Sequence, residues 1–95
     1  MFNKLMAARQ QMENLKKELD LVTAEGIAEG GLVKVICSGN KEILEVKISS
    51  ELQGDTEALE DLVRVAVNKA LAEAGRQAEI HSARLAATLL PGLNI

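Results

Sequence analysis

The chain has 95 residues, 47% apolar and 26% charged, with one Phe, one Pro, one Cys and no Trp or Tyr. That length fits one domain, and the aliphatic content is that of a folding chain rather than a disordered one. The lone cysteine excludes an internal disulfide, and neither a secretory leader nor a membrane span is expected, so the setting reads as cytoplasmic.

The net charge of −3 hides a strong layout. Residues 1–19 carry four bases against two acids, residues 20–61 three against ten, and residues 62–95 four against two. The chain is therefore basic at both ends and acidic between them. A patch of one sign can steer a ligand against the sign of the whole protein.

Met1, Leu5, Ala8, Met12, Leu15 and Leu19 recur at alternating spacings of four and three, so residues 1–19 read as an amphipathic helix with a heptad seam. Two and a half heptads need a partner surface, either the chain's own sheet or another subunit. Residues 21–28 read as a strand, with Gly26 marking a bulge or a close backbone approach. Glu29-Gly30-Gly31 is a turn. Leu32–Ser38 and Lys41–Ile48 then read as a hairpin closed by a two-residue Gly39-Asn40 turn. That register sets Val35 opposite Leu44 and Val33 opposite Val46. It also pairs Lys34 with Glu45 across the other face.

Asp55 or Thr56 caps a long helix over Thr56–Thr88, whose first turns carry Glu57, Glu60 and Asp61 where the macrodipole favours acids. Its apolar face runs from Leu59 through Leu62, Ala66 and Ala70 to Ala74. Gly75 costs about 1 kcal/mol relative to Ala and is a point where the helix could loosen. Pro91-Gly92 ends the regular structure. Such a helix is roughly 50 Å long, whereas a compact domain of this size has a radius of gyration of about 12 Å. Its second half must project as an arm, fold back at Gly75, or pack on a second subunit. The expected class is α+β: an N-terminal helix, a three-stranded antiparallel meander and a long C-terminal helix, all within a single domain over 1–95.

No catalytic or metal constellation emerges, and no cofactor is expected. His81 is the only histidine and reads as an exposed helix residue, while Cys37 reads as a small core residue. The glycines match neither a P-loop nor a dinucleotide fingerprint. One Phe cannot provide the stacking platform that single-strand and RNA readers use. Nucleic-acid binding would therefore mean duplex backbone held by Lys and Arg, with little base readout. The candidates are Lys4, Arg9, Lys16 and Lys17 on the first helix, and Arg76 and Arg84 on the arm. Each can also be read as an ordinary solvated charge.

Met1-Phe2 with Gln10-Gln11-Met12, Gly30-Gly31-Leu32-Val33-Lys34-Val35 with Ser38-Gly39-Asn40, Leu59-Glu60-Asp61-Leu62-Val63 with Ala66-Val67-Asn68-Lys69-Ala70, and Leu90-Pro91-Gly92 follow one another in order. Together they resemble the YbaB/EbfC nucleoid-associated family over essentially the whole chain. Lys69 departs from it, standing where the family often has an acid. The resemblance implies a tweezer-shaped homodimer with projecting helical arms. It also implies non-catalytic binding of duplex DNA with low or moderate sequence preference, and a place in the nucleoid. The alternative is a dimeric protein-interaction module that does not bind DNA.

Overall fold

The computed structural model describes residues 2–89, so Met1 of the seam and the Leu90-Pro91-Gly92 motif lie outside the described residues. The order is α1 (Phe2–Leu21), β1 (Thr23–Ala28), β2 (Val33–Ser38), β3 (Ile43–Ile48) and α2 (Thr56–Leu89). The strands form one antiparallel sheet in the order β1-β2-β3. This is the α+β arrangement expected from the sequence.

The core lies between α2 and the first two strands. Ala24 and Ala28 of β1 and Val33, Val35 and Cys37 of β2 alternate onto one face of the sheet. Against them α2 lays Leu62, Ala66, Ala70 and Ala74, a ridge of buried residues four apart. Gly26 sits under that ridge. A Cβ there would fall inside van der Waals contact with the Ala66 carbonyl oxygen and the Ala70 backbone nitrogen, so the helix rests on bare strand backbone. Of the two roles the sequence allowed Gly26, close approach is the one it fills. Cys37 completes the seam by donating its thiol to the Ala70 carbonyl at 3.4 Å.

The hairpin differs from the expected one. Ser38 N donates to Glu42 O, Lys41 N donates to Ser38 O, and Lys41 takes a φ of 66°. The loop thus has three residues, Gly39-Asn40-Lys41, with the last in the left-handed region. A bulge follows, because Cys37 faces Ile43 while Ile36 faces Glu45, leaving Leu44 without a partner. The register ends two residues away from expectation, with Val35 opposite Val46 and Val33 opposite Ile48. A shift of two keeps the faces but changes the pairs. Lys34 therefore meets Lys47 rather than Glu45. The like charges diverge, Lys34 toward Glu25 at 3.3 Å and Lys47 toward Glu45 at 3.7 Å.

Asp55 caps α2, its carboxylate accepting from Ala58 N at 3.1 Å. The helix then runs unbroken through Gly75, so it neither folds back nor loosens there. The protein measures 61 × 25 × 16 Å with a radius of gyration of 18.0 Å, because the second half of α2 leaves the sheet as an arm. Beside it lies α1, antiparallel and packed on α2 more than on the sheet. Leu15 and Leu19 of the seam are buried, while Leu5 and Met12 stay exposed.

The Gly26 contact yields a direct test. Gly26→Ala must lift α2 off β1 and should lower unfolding free energy by roughly 3 kcal/mol in denaturant titrations. A loss within experimental error would mean that the helix does not sit on the strand backbone.

Candidate nucleic-acid interface

The arm is built by the hairpin turn as much as by the helices. A helix leaves its last carbonyls without intrahelical donors. For α1 the turn supplies them: Asn40 Nδ2 donates to Lys16 O at 2.9 Å, and Gly39 N donates to Leu19 O at 2.9 Å. Asn40 Nδ2 also reaches Asp20 Oδ1. Gly39 has no room for a side chain, since a Cβ would come within 2.9 Å of Leu19 O. Farther along the arm, His81 Nδ1 lies 3.1 Å from Glu18 Oε1. His81 is therefore a half-buried link between the two helices and not the exposed residue expected. Toward the tip, Ala8, Met12 and Leu15 face Leu85 and Ala86 across an open apolar groove of about 720 Å³, with Lys4 on its edge.

The cations divide by their partners. In the body, Lys34 and Lys47 pair with Glu25 and Glu45, Arg64 approaches Asp61 at 4.0 Å, and Lys69 donates to Ile27 O at 3.2 Å. On the arm, Lys4, Arg9, Lys16, Lys17 and Arg84 are exposed and form no ion pair among the described residues. They share an arm without sharing a face. Arg9 and Lys16, two turns apart, lie on one side of α1, and Lys17 points about 100° away from Lys16. Arg84 borders a small cleft with Gln11, Glu18 and His81.

Two residues have surroundings that charge counting along the chain does not show. Arg76 is not a free cation, because its guanidinium Nε donates to Glu73 Oε2 at 3.0 Å. Lys41, counted with the acidic middle of the chain, forms no ion pair among the described residues. The turn carries it onto the arm, where its Cε and Nζ lie 3.7 and 3.8 Å from the position a Cβ of Gly75 would take. Only a three-residue loop reading would have placed it there, and Gly39-Asn40 satisfies the two-residue reading equally well.

Burial pushes the Cys37 thiol up from its ordinary value, which leaves it protonated and a poor nucleophile. No group of three or more His, Cys, Asp or Glu among the described residues could hold a metal ion. No helix among them is long and apolar enough to cross a membrane. Hydrogen bonds from Arg76 and Gln77 hold the Glu73 carboxyl down at about 2. A depressed carboxylate stabilises the fold fully above its ordinary value of 4.5 and loses that contribution as pH falls through about 2. A carboxyl-carbon NMR titration should therefore place the Glu73 midpoint near 2, and a midpoint near 4.5 would show that Arg76 is unpaired in solution.

Comparison with known proteins agrees with this architecture. The model of the YbaB/EbfC DNA-binding family matches residues 1–89. A nucleoid-associated protein of Caldanaerobacter subterraneus subsp. tengcongensis is 41% identical over 98 aligned positions, covering 98% of this chain and 85% of that one. A nucleoid-associated protein of Pelodictyon phaeoclathratiforme is 38% identical over 79 residues, covering 83% of this chain and 71% of that one. The crystal structure of the uncharacterized protein HP0035 from Helicobacter pylori superposes with a TM-score of 0.72. At 22% identity, over 90% of this chain and 88% of that one, it attests the fold. With its family model matched almost end to end, the chain belongs to the YbaB/EbfC DNA-binding family.

Proposed function

We propose that residues 1–95 act as one unit, a nucleoid-associated protein that binds duplex DNA as a homodimer, non-catalytically and without a cofactor or small-molecule substrate. Its setting is the bacterial nucleoid and hence the cytoplasm. One observation carries this reading beyond family membership. Among the described residues, the cations of the sheet and of the first half of α2 are engaged internally, whereas those left unpaired all lie on the arm. Unpaired Lys and Arg side chains are what phosphates require, and their scatter around the arm suits backbone binding with weak sequence preference.

The dimer rests on β3. The helix covers β1 and β2, so Ile43, Val46 and Ile48 remain 42–49% exposed on an edge strand. An open apolar edge invites strand pairing, and a second copy of the chain would cover it and set two arms side by side. Val46→Asp should convert a dimer to a folded monomer in sedimentation velocity. A wild-type monomer would remove dimerisation from the reading.

A second reading, a dimeric protein-interaction module without DNA binding, draws on the apolar groove between the helices. A duplex titration across a salt series separates the two. Phosphate binding predicts affinity that falls steeply with salt, and Lys16→Glu with Lys17→Glu should flatten the logarithmic slope by about 0.9 for each phosphate no longer neutralised. Arg76→Ala should change it little, because Glu73 already holds that charge. Absence of binding at low salt would favour the interaction module.

A further inference from the structure

We infer that Lys41 is a phosphate-contacting residue of the arm, where it lies against α2 at Gly75. This rests on the duplex-binding reading above and adds to it a residue from outside the two helices.

The position of Lys41 follows from the backbone rather than from side-chain preference. The three-residue turn puts it in the left-handed region, at a φ of 66°. Residues other than Gly, Asn and Asp seldom occupy that region, so a lysine there is unusual. The turn is also anchored on both sides of Lys41. Gly39 and Asn40 hold the end of α1, and Ser38 closes the hairpin with Glu42. From this base the lysine stem extends across α2.

Gly75 marks where it lands. This is the only glycine in α2, and glycine weakens a helix interior. At Gly26 and Gly39 the missing side chain is explained by backbone that would otherwise be struck. At Gly75, apart from its neighbours Ala74 and Arg76 and the helix's own backbone, the only atoms among the described residues within 4 Å of where a methyl group would sit are Cε and Nζ of Lys41. At 3.7 and 3.8 Å a methyl group there would make only ordinary van der Waals contact with the lysine, so these distances fix where the stem lies: against α2 at Gly75.

The charge is left available. Lys41 is exposed and makes no ion pair among the described residues. The adjacent acid at the end of α1, Asp20, is occupied by the Asn40 side chain. The backbone of Lys16 meets the same turn, its carbonyl bound by Asn40.

The test is a duplex DNA titration over a salt series with Lys41→Gly, Lys41→Arg and Lys34→Ala. Lys41→Gly removes the ammonium while suiting the positive φ, so the hairpin should stay folded by circular dichroism. It should flatten the logarithmic salt slope by about 0.9 for each engaged protomer. Lys41→Arg should restore the wild-type slope. Lys34→Ala, at a body cation already paired with Glu25, should leave it unchanged. A wild-type slope in Lys41→Gly, or equal flattening by Lys34→Ala, would overturn the assignment of Lys41 while wild-type binding upholds the duplex reading. Failure of the wild-type protein to bind duplex would overturn both.

Discussion

The architecture depends on one backbone contact, α2 lying against β1 at Gly26. Because no side chain separates them there, the helix approaches with a ridge of alanines, and Ala66, Ala70 and Ala74 are fully buried. Close approach has a geometric consequence. A helix about 10 Å across covers two strands spaced about 5 Å apart, and β1 and β2 are the two it covers. The third strand is left with its apolar row open, and the last turns of the helix run past the sheet with nothing of it beneath them. The open edge thus follows from the width of the helix and the arm from its length.

The second constraint is the β2–β3 turn. A free-standing α1 would expose its last carbonyls and half its seam, and a 20-residue helix has little stability alone. Gly39 and Asn40 tie its C-terminus to the sheet, Leu15 and Leu19 are buried, and Glu18 meets His81. A three-residue turn thereby fixes a helix many residues earlier in the chain. The same turn directs Lys41 onto α2.

Much of this was legible in the sequence, and what was not has identifiable physical reasons. The two helical periods and the strand order are local or near-local signals, whereas Gly26 left a bulge and a close approach equally open until α2 was seen against it. The hairpin register was not legible, because Gly39-Asn40 satisfies a two-residue turn and the extra residue at Leu44 has no signature of its own. Beyond the bulge the shift is two, so Val46 and Ile48 keep their expected face, whereas before it the shift is one and Ile43 takes the place expected for Leu44; the expected Lys34–Glu45 pair is lost. The cations of the helices could be read directly from the chain. Whether each is free depends on rotamers and neighbours: Glu73 lies one turn before Arg76 and engages it, a pairing that spacing permits but does not require. Lys41 was hidden by segment-wise charge counting, which placed it among ten acids.

A protein with a net charge of −3 can present a cationic arm because its charges are separated along its longest dimension. Glu51, Asp55, Glu57, Glu60 and Asp61 cluster where α2 begins, and the helix carries the chain about 50 Å before it ends. Salt screens charges beyond about 8 Å at physiological ionic strength. A phosphate beside Arg9 or Lys16 therefore responds to the arm and scarcely to the acids at the other end. The same separation orients the molecule, because a polyanion repels the acidic end at long range and attracts the basic one. In this protein the total charge governs solubility, and the position of each charge along α1 and α2 governs what the arm can hold.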